Sequence, residues 1–246
     1  KLLYCISLCN INNMKKYLIK YSLEFLVIVM GISVSFYLEE IRVANELKTL
    51  SVDLKQNLLD EISEIESYMI ERELAFKGDQ IVLNSLQDIK ISYDSLLKIS
   101  NIPFKYSVSL FNYRGFKPPV AFYNSLVNDG KIRYLESSSI KEELDKMHNV
   151  HYYYINENIK DEAVAQRKMI DFFQNNYPEL LIKSIETNPN ANYVKQIYSK
   201  VRGDIVLRSI LFQKSLAIAE KVRGFNSYKE SLQKLKNALL NDLNSN

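Results

Sequence analysis

The chain has 246 residues, a formal net charge of +3, six Gly, five Pro and two Cys. With 47% hydrophobic and 25% charged residues, it is excluded from the disordered class, and its small, evenly spread charge excludes a nucleic-acid reader, which needs a strongly basic face. Long stretches without Gly or Pro point to helices rather than to strands joined by turns.

Residues 1–16 read as an N-terminal tail. Cys5 and Cys9 both lie there, so no disulfide framework is available to the main body, and their spacing is a poor match to a zinc knuckle. The first methionine is Met14, followed by Lys15 and Lys16. Translation is expected to start at Met14, with KLLYCISLCNINN as upstream sequence.

The uncharged run Phe25–Leu38 extends back through Tyr17. At ~1.5 Å per residue, residues 17–38 cover about 33 Å, enough to cross the hydrocarbon core of a bilayer. The extension includes Lys20 and Glu24, four residues apart on one helix face. Lys20 can snorkel to the headgroups. Glu24 sits about a turn deeper and is neutral, paired with Lys20, or turned to a partner helix. The remaining Leu, Val, Ile and Phe residues outweigh its cost of ~2.5–3.5 kcal/mol at mid-bilayer. A cleaved signal peptide is a second reading, since a basic segment precedes the run and Ser33-Val34-Ser35 is a small-x-small site. A soluble core helix is a third. Apolar residues continue through Phe36, Tyr37 and Leu38 and the helical pattern runs on, which favours a retained span. Lys15, Lys16 and Lys20 precede the span, so the positive-inside rule places the N-terminus in the cytoplasm and residues 39–246 outside.

The stretch KKYLIKYSLEFLVIVMGISVSFYLEEIRVANE resembles the opening of a family of bacterial single-pass membrane proteins that carries only a domain-of-unknown-function label. Glu24 falls at the family's Glu and Gly31-Ile32 at its Gly-Ile. Leu23 stands where the family often has Gly, and LEEIRVANE lacks the usual Trp. The later patch AFYNSLVNDGKIRYLESSSIKEELDKMHNVHYYY resembles a second family segment: apolar helix, Gly turn, polar helix ending in aromatics. The resemblance implies a bacterial inner-membrane location and the topology, and no activity.

Beyond the span, apolar residues recur at Leu47, Leu50, Leu54, Leu58, Ile62, Ile65, Met69 and Phe76. Leu47, Leu58 and Met69 are eleven apart, as are Leu54, Ile65 and Phe76, a nearly straight stripe. This stripe is either the core face of a bundle or a homodimer seam. Gly78-Asp79 is expected to kink or end the helix. A second helix then carries Val82, Leu86, Ile89, Tyr93 and Leu96. Residues 99–119 break the pattern with Pro103, Gly115, Pro118 and Pro119. Their aromatic and basic residues Phe104, Tyr106, Phe111, Tyr113, Arg114 and Phe116 form a candidate interaction loop; the alternative is a loop that plugs the bundle end. Pro118 or Pro119 opens a short helix through Val127, ended by Asn128-Asp129-Gly130. Ser139-Ile140-Lys141-Glu142 fits a capping box, and the helix behind it extends to Asn176. Further helices follow: one with Tyr193, Ile197, Val201, Ile205 and Ile210 before Gly224, and a last one from Ser227 to Leu243. The expected fold class is all-α: an N-terminal transmembrane helix continuing into a long helix and an extramembrane bundle.

His148 and His151 are the two histidines, with Asp145 one turn earlier. A diiron bundle needs Glu-x-x-His on two helices and a zinc protease needs His-Glu-x-x-His; neither is present, and His151 lies on an apolar face that suits a core histidine. No phosphate loop, kinase signature or nucleophile elbow occurs. No catalytic residue, cofactor or metal is therefore expected. Two readings remain. One is a membrane-anchored, non-catalytic scaffold or accessory protein in which Glu24, Gly31 and Lys20 contact a partner span, another membrane protein or a second copy. The other is an extracytoplasmic sensor that binds a small ligand and signals through a partner chain.

Overall fold

A computed structural model describes residues 2–100, 110–183 and 191–245. Among them there is no strand. The chain divides into two compact units, Lys1–Asp53 and Leu54–Asn246. Helix α1 (Leu2–Gln87) supplies the helical backbone of the first and one long helix of the second. It passes through Gly78-Asp79 without ending, contrary to the break expected there.

In the second unit, three helices carry the core: α1 from Leu54 onward, α5 (Tyr152–Asn176) and α8 (Ile205–Ser245). Each buries a stripe in alternating steps of three and four, the period of knobs-into-holes packing. On α8 the stripe is Leu207, Leu211, Lys214, Ile218, Lys221, Phe225, Tyr228, Leu232, Leu235 and Leu239, all buried. On α1 it includes Leu58, Ile62, Ile65, Met69, Phe76, Asp79, Leu83 and Leu86, and on α5 Ile155, Ile159, Glu162, Met169 and Phe173. The eleven-residue spacing read from α1 therefore picks out members of a seven-residue pattern; its first member, Leu47, lies outside the buried stripe, as does Leu50.

Ion pairs fix the direction of packing. Lys55 meets Asp242, Glu66 meets Lys236 at 2.8 Å and Glu73 meets Lys229 at 2.7 Å. As numbers rise along α1 they fall along α8, so the two are antiparallel. Glu162–Lys221 and Lys168–Gln213 make α5 antiparallel to α8 as well.

Gly224 lies in the middle of α8 and does not end it, contrary to the separate last helix expected from Ser227. A Cβ at Gly224 would sit 2.7 Å from Tyr154 Cδ1 and 3.0 Å from Ile155 Cγ1. The absent side chain lets α5 approach. Gly224→Val is expected to lower stability by about 2 kcal/mol, the overpacking cost less a small gain in helix propensity; denaturant unfolding of the purified chain measures it.

At one end of the bundle, α2 (Tyr93–Ser100), α6 (Pro178–Lys183) and α7 (Ala191–Gly203) close over the three helices. Leu96, Leu180, Tyr193, Ile197, Tyr198 and Val201 pack there against Leu83, Leu86, Phe173, Leu207 and Leu211. Arg202 of α7 finishes α1. Its guanidinium donates to the carbonyls of Ser85 (3.1 Å), Leu86 (3.3 Å), Asp88 (2.9 Å) and Ile91 (2.6 Å). A helix C-terminus leaves carbonyls without partners and carries partial negative charge, and Arg202 answers both.

At the other end lie α3 (Ala121–Asn128), a 3-10 turn (Lys131–Tyr134) and α4 (Ser138–Asp145). Glu61 of α1 accepts from the first amides of α3, Phe122 at 2.5 Å and Tyr123 at 3.1 Å. Gly130 ends this section in the left-handed region, φ 64°, where L side chains are disfavoured. The capping box expected at Ser139 does not form. The residue before α4 is Ser137, without a side-chain cap bond, and Glu142 instead pairs with Lys146 at 2.6 Å. A π-helical turn, Lys146–His151, joins α4 to α5.

Candidate functional site

In the first unit, the side chains described between Leu18 and Thr49 are exposed. Phe25, Leu26, Val27, Ile28, Val29, Met30, Ile32, Val34, Phe36, Tyr37 and Leu38 present apolar surface around the whole helix rather than along one stripe. Lys20 and Glu24 approach to 3.9 Å, each more than half exposed. Such a pair contributes little by itself in water. Gly31 has nothing within 4 Å of the position a Cβ would take. Ser35 turns its hydroxyl inward, donating to the Gly31 carbonyl at 2.9 Å, so its hydrogen bond is satisfied without water. Gly31, Ser35 and Glu39 thus form a shallow face bordered by Ile28, Ile32 and Phe36. Arg42 then binds both Glu39 and Glu46.

Of the candidate loop residues, Phe104 and Tyr106 lie outside the described residues. Phe116 is fully enclosed. Its ring lies 5.1 Å from Tyr228, 5.8 Å from Phe225, 5.8 Å from Tyr68 and 6.1 Å from Tyr152. Phe111 meets Phe173 edge to face at 5.1 Å. Arg114 Nε donates to Asp79 Oδ2 at 2.7 Å. Tyr113 keeps an exposed ring. These four side chains therefore divide: three are built into the bundle and one faces solvent.

Beneath this segment, α1, α5 and α8 contribute a charged layer. Glu162 Oε2 accepts from Lys221 Nζ at 2.5 Å, and Glu162 Oε1 lies 3.8 Å from Lys214 Nζ. Lys214 also donates to the carbonyls of Asn112 (2.5 Å) and Leu110 (3.3 Å). Lys221 Nζ rests 4.3 Å above the Phe76 ring, a cation–π contact. Glu162, Lys214 and Lys221 are at most 1% exposed. Burial pulls the Lys214 amine down to about 8, against the opposing influence of Glu162 and Asp79. In this conformation the three side chains are closed off from solvent. Their arrangement fixes the register of three helices, as a polar residue in an apolar seam does.

Near the π-helical turn, His148 stacks flat on Tyr123 at 3.6 Å, and burial pushes it down to about 4, so it is neutral at pH 7. His151 is shifted down as well, chiefly by burial. Asp145 accepts from the Asn149 amide at 2.7 Å. Among the described residues, no group of His, Cys, Asp and Glu is placed to hold a metal ion.

Sequence reasoning missed Asp79, Glu162, Lys214 and Lys221. A signal for the lysines was present: Lys214 and Lys221 stand seven apart, in step with Leu207, Tyr228 and Leu235. No family model matches the chain. No curated protein or solved structure matches it either.

Proposed function

We propose that this is a membrane-anchored helical scaffold or accessory protein, non-catalytic, held in a bacterial inner membrane by residues 17–38 with the bundle on the extracytoplasmic side. The observation that supports it is the one helix among the described residues, near the N-terminus, that is long and apolar enough to cross a membrane, none of whose apolar window is buried. A helix apolar on every side needs lipid or protein around it. Lys20 sits at the headgroup edge and shares its field with Glu24, which lowers the cost of placing an acid near hydrocarbon. The Gly31–Ser35 face offers a partner span close backbone approach. The partner is another membrane protein or a second copy.

Photocrosslinking residues placed at Gly31 and Glu24, in native membranes, test this reading. A discrete adduct at Gly31 with an integral membrane protein is expected. Recovery of the full-length chain in the aqueous phase without detergent would overturn it.

A further inference from the structure

Residues 110–117 cross the bundle without a continuous helix or strand of their own after Phe111. They are held by side chains from each of the three core helices. Lys214 of α8 binds the carbonyls of Leu110 and Asn112. Gln166 of α5 donates to the Phe111 carbonyl at 3.0 Å. Asp79 of α1 takes Arg114, and Tyr68 of α1 accepts from the Lys117 amide at 2.7 Å. Phe116 fills the aromatic slot between them.

What this strap covers is charged. Two acids, Asp79 and Glu162, and two lysines, Lys214 and Lys221, lie in the buried set, with Arg114 added by the strap itself. Enclosing ionised groups carries a large desolvation penalty that pairing only partly offsets. Lifting the strap forfeits ring contacts and five hydrogen bonds. It also returns water to the charged layer. An apolar plug has no such compensation, so this opening is cheaper than the contacts alone suggest. Away from the layer the buried stripes continue, through Leu58, Ile62, Leu235 and Leu239 on one side and Leu83, Leu86, Phe173, Leu207 and Leu211 on the other.

We propose that residues 110–117 are a latch that lifts as one unit while α1, α5 and α8 stay packed, admitting water to the Asp79–Glu162–Lys214–Lys221 layer. The closed latch is one of two states of the bundle, and any partner that grips the lifted segment shifts the balance between them.

Native-state hydrogen exchange on the full-length chain in detergent micelles, across low urea concentrations, tests this. The Lys117 amide is expected to exchange through an opening at least about tenfold more frequent than that of α8 amides 214–232, with a clearly smaller urea dependence, as a local opening requires. Ile62→Val, in the α1 stripe away from the strap, costs only what global unfolding exposes, so it should speed exchange of the α8 amides several-fold while leaving Lys117 unchanged. The proposal is overturned if Lys117 and α8 share one opening frequency and one urea slope, if Lys117 is unprotected in the wild type, or if Ile62→Val speeds both alike.

Discussion

Glu162→Ala is expected to lower the melting temperature by about 10 °C. Glu162 is the shared acid of Lys214 and Lys221, and none of the three reaches water. Removing it leaves two ammonium groups enclosed against Phe76 and the backbone. Breaking a buried pair by deleting one partner costs about 3–5 kcal/mol, because the surviving charge is uncompensated. For a domain of this size each kcal/mol moves the midpoint by about 2–4 °C. Replacing Glu162 and Lys221 together, by Leu and Met, should recover most of the loss, since the pair is then exchanged for packing. Thermal unfolding of the three proteins in one detergent decides it; equal losses in the single and double variants would show that shape, not charge, sets the cost.

The same layer gives stability a pH dependence. Lys214 titrates at about 8 when folded, below the 10.5 of an ordinary lysine, chiefly through burial. Between those values the unfolded chain binds the extra proton, so stability rises with pH across that window and is insensitive to this group below it. Tyr228 acts in the opposite sense. Burial holds its hydroxyl above the usual tyrosine range, so the unfolded chain ionises first and stability falls above pH 10. Wild type should therefore gain on a Lys214→Met variant between about pH 8 and 10.

The second large effect concerns the apolar helix. Ile28→Arg with Ile32→Arg places two guanidiniums near the middle of residues 17–38, at about 2.5–3.5 kcal/mol each on insertion scales. The pair should move the protein from the carbonate-resistant membrane pellet to the supernatant. Ile70→Arg with Leu74→Arg has the same spacing and replaces side chains that are also exposed, 66% and 61%, but on the bundle. That variant should stay in the pellet. If both variants pellet alike, lipid is not what the apolar helix requires.

The all-helical architecture was legible because scarce Gly and Pro left long periodic stretches. The period of α1 was misread because an eleven-residue step also lands on the buried positions Leu54, Ile65 and Phe76, and the exposed Leu47 lengthened a second series of the same step through Leu58 and Met69. Helix ends were misplaced where a tertiary contact decides them. Gly224 looks like a terminator in one dimension and is a contact point for Tyr154 and Ile155 in three. Ser139 offers a local cap, yet Glu142 is drawn to Lys146. Arg202 reads as a surface base although four carbonyls of a distant segment converge on it. In the 110–117 segment the sequence shows an aromatic crowd, and nothing local distinguishes Phe116, which is enclosed, from Tyr113, which is not.

The ladder of Lys55–Asp242, Glu66–Lys236 and Glu73–Lys229 gives the bundle a mechanical polarity. The Leu54 end of α1 and the last turn of α8 lie side by side. Tension applied between those two points would peel α8 away one rung at a time. Tension between Leu54 and Ile205, the far end of α8, would load every rung together, in shear. Resistance to forced unfolding is a matter of rate, and the shear geometry has the higher barrier.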